Sequence, residues 1–521
     1  MGLAPTTPIV AGVGQLTRRF DPESDLAGLA EPVGMMAEAA LMAACDSGAR
    51  SAKVNRYLPS ACGGSLLKKV GSIRVMDTLS WHYRDPGALI ASQLGLSNFE
   101  SIVTTTGGNS PQMLVADTAA AILRGDLDAA IIVGAEAMRT RVAARKAGIP
   151  LPWTTQEPAA SKGVKVLGSR RDPSTETELA RGLDRPVHVF PLFENALRSA
   201  ACETIEDHQV KVSELWARFA EVARKNPHAW TTNAPGPEQI RTVGAGNRMI
   251  GFPYPKLMNA NIQVDQAAAL IMCSLEVARA AGIPQDRWVF PVSAAHAEDH
   301  WFISHRQDMC SSPAIRVVGK AGLEAAGSGI DDVAYLDLYS CFPCAVQIAA
   351  AELRVGLDDP SRPLTVTGGL GFAGGPGNNY VTHSIAAMVD SLRKDPGALG
   401  LVTGLGWYFT KHAVGLYSTT PPARGFLAVN PQKEIDSLPQ RSTMTGYAGP
   451  ATVETYTVIH ARDGSPSRAI LSCITEEGLR VWGSIEAQSG GFAQDQLACM
   501  TQSEVCHSKV RLEHDGTLEL G

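Results

Sequence analysis

Three short patterns in the chain carry residue types able to do chemistry. The first is Cys341-Phe342-Pro343-Cys344, whose C-x-x-C spacing suits a redox pair or half of a metal site. No second C-x-x-C accompanies it, so buried free thiols are the plainer reading. The second is the run His296-Ala297-Glu298-Asp299-His300, with His305 beyond it. The order differs from H-E-x-x-H, and the run follows a strand-like segment, so no metal is assigned. The third is GLGFAG at 369–374, which fits G-x-G-x-x-G. It lacks the downstream acidic residue and does not lie in a first strand-to-helix turn, so a dinucleotide site is not assigned either.

The elements that must position such residues follow from the rest of the chain. It has 521 residues, with 46 Lys+Arg against 52 Asp+Glu and a net charge of -6. At roughly 150 residues per domain this is about three domains. The charge balance argues against a broad nucleic-acid surface. No stretch reaches the roughly 18 apolar residues of a membrane span. The first residues lack the pattern of a secretory signal, and ten cysteines are scattered from Cys45 to Cys506. Together these point to free thiols in a reducing, cytoplasmic setting.

Strands are expected at 7–15, 53–60, 67–74, 101–106, 129–133, 289–294, 333–338, 364–366 and 399–403. Helices are expected at 25–46, 87–94, 111–124, 191–207, 212–225, 262–281, 315–326, 345–353 and 382–391. The alternation is the grammar of a layered α/β core, and the order of elements in the second half parallels 25–133, which suggests an internal duplication. Residues 139–245, rich in Arg, Pro, Asp and Trp, read as a cap over that core and not as a separate sheet. After Pro421-Pro422 the pattern changes to period two: TVETYTVIH, a turn at Asp463-Gly464, SRAILSCI and LRVWGSI. This predicts a third, antiparallel domain over 423–521, a small barrel with Trp482 inside it or at the domain seam.

Residues 7–418 resemble the thiolase superfamily. The phrases that carry the resemblance are GGNSPQ (107–112), GAEAM (134–138), PLFENALR (191–198), NRMIGFPYPKLMNANIQVDQAAAL (247–270), LYSCF (338–342), GGLGFAGGPG (368–377) and GLGW (404–407). The nearest subgroup is that of bacterial acetyl-CoA acetyltransferase-type proteins related to the sterol-carrier thiolases, and the tail resembles their OB-like domain. The resemblance implies a duplicated five-layer α-β-α-β-α body. Its N-terminal half spans 1–285 with the cap insertion 139–245, its C-terminal half spans 286–422, and the OB-like β-barrel spans 423–521.

The resemblance also shows what is missing. The family's nucleophilic cysteine falls on or beside Gly108, its activating histidine on Gly375, and its second cysteine on Gly404. An asparagine of the family's oxyanion hole belongs near Ala345 and is not evident. Ordinary thiolase activity is therefore expected to be absent. Backbone N–H groups at Gly108 and Gly406 remain as oxyanion donors. The resemblance implies substrate contacts at Gly108, Asn109, Arg248, Asn261, Gly375, Gly404 and Gly406, with Arg141 and Arg145 of the cap near phosphates. Tyr339, standing where relatives carry a histidine, and Tyr380 are candidate acids. Cys341, His383 and His412 are candidate replacements for the lost groups. Packing is the bland reading of each.

The expectation is an acyl-CoA-binding protein of lipid or steroid CoA metabolism, without ordinary thiolase activity. The alternatives are an enzyme of altered chemistry, either a retro-aldolase or an unusual acyltransferase, and a non-catalytic scaffold for a lipid-metabolic enzyme. No cofactor is expected beyond the coenzyme A thioester itself, as ligand or substrate. A hydratase or other lipid-metabolic protein is the candidate partner, and a homodimer or a monomer the assembly. The acyl group cannot be read from sequence.

Overall fold

The computed structural model describes residues 3–19, 30–53, 62–487 and 491–520. Strand formation follows the apolar runs. In the first half, six strands lie in the order Pro8–Thr17, Asp265–Ser274, Ala129–Ala137, Val70–Val75, Glu100–Thr104 and Lys165–Leu167. In the second half the order is Val333–Asp337, Leu399–Gly406, Lys411–Ser418, Phe290–Glu298 and Leu427–Val429. The two sheets repeat one topology. In each, a strand pairs antiparallel with the next, that one pairs antiparallel with a third, and the third pairs parallel with a fourth. The duplication expected from element order is thus a property of the pairing.

Two helices lie between the sheets and touch both: Ser110–Arg124 and Tyr380–Lys394. Helix Pro32–Asp46 covers the outer face of the first sheet, and helix Pro313–Ala326 that of the second. The body is therefore a five-layer α-β-α-β-α stack. Proline in the first turn of Pro32–Asp46, Ser110–Arg124 and Pro313–Ala326 starts each helix where a missing N–H has no cost.

Several boundaries differ from expectation. The run 262–281 is not one helix. Asp265–Ser274 is a strand between two antiparallel neighbours, and only Leu275–Ala281 is helical, capped by Ser274 accepting from the Val277 N–H. A strand covered on both faces shows no polar alternation and so reads like a buried helix. Residues 364–366 form no strand, because the Val366 and Thr367 N–H groups donate to the Asp337 carboxylate at 3.0 and 3.2 Å. The expected helix 191–207 is two helices, Pro186–Ala200 and Ile205–Lys225, broken by Cys202 at φ 55° and restarted by Thr204 as cap. The strand of 67–74 begins only at Val70, behind a short helix Gly64–Leu67. The strand expected at 53–60 lies, beyond Lys53, outside the described residues, as do residues 25–29 of the first helix.

The cap is largely helical, but Lys165–Leu167 joins the first sheet as its edge strand, parallel to Glu100–Thr104. The tail's first strand, Leu427–Val429, pairs with Phe290–Glu298 and so belongs to the body sheet. Beyond it, five strands pair antiparallel in the order Arg480–Glu486, Pro466–Ile474, Gly449–His460, Lys509–Leu512 and Leu518–Leu520. A bridge between Ser484 and Thr517 brings the two end strands together. Trp482 lies at the seam, donating its indole N–H to Ser304 Oγ at 2.8 Å. At the same seam the fully buried Arg480 pairs with Glu454 and donates to the carbonyls of Ile303 and Ser304. Arg198 of the cap pairs with Glu504 of the tail.

Candidate active site

Four chain segments converge where the two central helices begin. Gly107-Gly108-Asn109 enters helix Ser110–Arg124, and Gly404–Gly406 ends a strand of the second sheet. Tyr339 follows strand Val333–Asp337, and Gly374–Asn379 enters helix Tyr380–Lys394. Asn378 joins two of them, accepting from the Gly107 N–H at 2.8 Å and donating to the Asp77 carbonyl at 2.7 Å.

The glycines here are packed. A methyl group on Gly108 would stand 2.2 Å from Tyr339 Oη and 2.5 Å from the Leu405 carbonyl oxygen. On Gly404 it would stand 2.9 Å from Asn109 Cα, and on Gly406 2.6 Å from Asn109 Oδ1. Gly375 is less confined, at 3.3 Å from the Asn261 carbonyl oxygen, which accepts its N–H at 2.9 Å. A side chain at Gly108, Gly404 or Gly406 would therefore have no space without a shift of its neighbours. At Gly108 the tyrosine hydroxyl fills that space.

Tyr339 is held by its backbone, whose N–H donates to Thr403 Oγ1 at 2.8 Å, and by an edge contact with the Tyr380 ring at 5.6 Å. Its hydroxyl has no hydrogen-bond partner among the described residues. Burial, and secondarily the Cys341 sulfur, raises its pKa, so it stays a protonated donor. Tyr380, in contrast, is committed: its hydroxyl meets Thr367 Oγ1 at 2.7 Å and Asp337 Oδ1 at 3.2 Å. Cys341 is buried, and burial pushes its thiol pKa up. Cys344 is also a free buried thiol, with Sγ 3.5 Å from the Phe190 carbonyl, so the C-x-x-C spacing forms no disulfide.

The two histidines separate. His412 lies beside the site and contacts the Phe409 carbonyl through Nε2 at 2.8 Å; burial pushes its pKa down to about 4. With Tyr339, Gly404, Leu405 and Val318 it lines an apolar cavity of about 20 Å³, room for little more than a water molecule. His383 points instead to the first strand, where Nδ1 meets Gln15 Oε1 at 2.9 Å, and burial takes its pKa to about 3. The structure does not bring it to the Gly108 group. Arg248 donates to the carbonyls of Met249 and Ala461, the latter in the tail. Arg141 donates to the Leu79 carbonyl. Asn261 backs the Gly375 loop through its backbone. Asn109 donates to Met113 Sδ at 2.8 Å, leaving Oδ1 buried without a partner. Among the described residues no three metal-ligating side chains gather, at His296, His300 and His305 or elsewhere.

Two groups at the site were missed in the sequence. Lys411 is buried beside Gly107 and Gly406 and donates to the carbonyls of Thr106 and Ser169 at 3.0 and 3.3 Å; burial lowers its pKa. Glu136, in GAEAM, is buried against Gly377 and accepts from the Leu79 and Ser80 N–H groups, both at 2.7 Å. Burial raises its pKa to about 7. Lys411 had no motif to flag it, and Glu136 lay in GAEAM without being singled out. Both become visible only when distant segments meet.

A family profile described as the Thiolase-like protein type 1 additional C-terminal domain matches residues 430–517. A monomeric SCP2-thiolase-like protein type 1 from Mycobacterium smegmatis superposes with a TM-score of 0.81 at 29% identity, over 100% of both chains. The Ltp2-ChsH2(DUF35) aldolase gives a TM-score of 0.56 at 18% identity, over 79% of this chain and 98% of the other. An acetyl-CoA acetyltransferase from Syntrophomonas wolfei gives 0.53 at 14%, over 80% and 99%. No curated protein sequence matches the chain. The fold and the emptied site define a thiolase-like protein. The chain has the thiolase-like fold and is similar along its whole length to the type 1 SCP2-thiolase-like protein, with residues 430–517 matching the additional C-terminal domain of such proteins.

Proposed function

We propose that the protein binds an acyl-CoA thioester and does not perform thiolase acyl transfer. The observation that carries this reading is the contact between Gly108 and Tyr339: the nucleophile's place is occupied by a tyrosine hydroxyl 2.2 Å from where a Cβ would stand. The thioester class rests on the likeness to an SCP2-thiolase-like protein, and the setting we assign is cytoplasmic lipid or steroid CoA metabolism. Among the described residues no helix is long and apolar enough to cross a membrane. In this reading the nucleotide lies near the cap, the acyl end points to Tyr339, and the OB-like tail caps the acyl side or docks a partner enzyme. Calorimetry with a panel of CoA thioesters, followed by a product assay on each binder, tests it. Saturable binding without thiolysis is expected. No saturable binding across the panel refutes it.

One observation favours a second reading, retro-aldol cleavage of a 3-hydroxyacyl-CoA. Tyr339, a buried residue, presents a protonated hydroxyl that makes no hydrogen bond among the described residues, the state a proton donor needs. Turnover to a carbonyl compound plus a shorter thioester, lost in Tyr339→Phe, would select it. Binding without any turnover leaves the scaffold role.

A further inference from the structure

Among the thiols of the chain, Cys341, Cys344, Cys273, Cys473 and Cys506 are buried, whereas Cys45, Cys62, Cys202 and Cys499 are exposed. Two of the exposed ones stand together. Cys45 lies in the last turn of helix Pro32–Asp46, and Cys62 lies in the turn leading into helix Gly64–Leu67. The backbones beside them touch. Gly63 is held at φ +67°, and a methyl group there would stand 2.1 Å from the Ala44 carbonyl oxygen. Gly64 is equally close to the Ala52 carbonyl, at 2.2 Å, and Ser65 donates from its backbone to Arg50 and from its hydroxyl to Ala281. The turn is thus seated against the helix by backbone contacts that only glycine permits, and the residues flanking that contact are Cys45 and Cys62. The Cys45 thiol is within interaction distance of the Cys62 sulfur.

We propose that Cys45 and Cys62 form a reversible disulfide, a redox-modification site whose oxidant is a hydroperoxide. The Cys62 sulfur attacks the peroxide as it gives up its proton: an S–O bond forms, the O–O bond breaks, and with hydrogen peroxide one water leaves carrying that proton. The Cys45 sulfur then attacks Cys62 sulfur; the S–S bond forms, the S–O bond breaks, and a second water carries off the Cys45 proton. Two thiols lose two electrons, and one peroxide gains them. Burial and the neighbouring Cys62 sulfur raise the Cys45 pKa to about 11, which disfavours Cys45 as the first sulfur to react. The product staples the turn before Gly64–Leu67 to the outer helix of the first sheet.

The full-length protein treated with hydrogen peroxide, alkylated and digested without reductant tests this. A Cys45–Cys62 cross-linked peptide, lighter by two hydrogens and restored by dithiothreitol, is expected. Cys202 and Cys499, exposed elsewhere, are the internal controls and should give no such cross-link. In Cys45→Ser, dimedone trapping of Cys62 should rise several-fold over wild type, because the resolving thiol is gone. Both residues being exposed, the serine variants are expected to fold, and a thermal melt checks it. Equal alkylation of Cys45, Cys62, Cys202 and Cys499 after oxidation, or a cross-link formed only between two chains, would overturn the proposal.

Discussion

The site around Gly108 and the seam between body and tail are built from opposite materials. At the site the backbone closes on itself. Glycines at 108, 404 and 406 leave no space for side chains, Tyr339 offers a hydroxyl to no partner, and Glu136 is satisfied by backbone N–H groups with no cation paired to it. At the seam, buried arginines are paired with carboxylates: Arg480 with the largely buried Glu454, and Arg198 with the half-exposed Glu504. One region is packed through glycines, and the other fixes the tail to the body through charged groups that are expensive to disturb. The tail is docked through Trp482 and Arg480 onto residues 303–306.

This contrast gives graded expectations. Arg480→Met should have the largest effect, about 3–5 kcal/mol of stability, because Glu454 is left as an unpaired, largely buried charge. Chemical denaturation of the single variant and of Arg480→Met with Glu454→Leu checks it, the double variant recovering part of the loss.

Next is Glu136. Its folded pKa of about 7 lies above the ordinary 4.5, so the folded state binds the extra proton. Its contribution is fully present below pH 4.5 and is lost as pH rises through about 7. The loss is on the order of 3 kcal/mol. A stability–pH profile should flatten across that window in Glu136→Gln.

Gly108→Ala should cost about 1–3 kcal/mol from overpacking. Adding Tyr339→Ala should recover only part of this, since the Leu405 carbonyl remains at 2.5 Å from the new carbon. Gly375→Ala, at 3.3 Å from its nearest neighbour, should cost less. Tyr339→Phe should be the smallest, within about 0.5 kcal/mol, because its hydroxyl makes no hydrogen bond to lose. A larger loss in thermal or chemical unfolding would mean that the hydroxyl is a structural anchor.

Much of the fold was legible because its signals are local. Proline-led helices, glycine-ended helices and the period-two tail announce themselves in the chain. The strand Asp265–Ser274 was not, because burial on both faces removes the alternation that separates strand from helix. The glycines at Gly108, Gly375 and Gly404 were legible as positions where the resemblance expects reactive side chains. What filled the space was not. The contact of Tyr339 with Gly108, the Lys411 ammonium over Gly107, and the diversion of His383 to Gln15 depend on segments hundreds of residues apart. Arg248 illustrates the limit from the other side: its charge invited a phosphate, and the fold uses it to reach the Ala461 carbonyl.

The central claim is that the Gly108 site cannot form an acyl-enzyme. Incubating the full-length protein with acetoacetyl-CoA and coenzyme A, with product detection and intact-mass analysis on the same samples, tests it most directly. The account predicts no acetyl-CoA above the uncatalysed control and no acetyl adduct. Steady-state thiolysis with an acetylated cysteine on the pathway would contradict it.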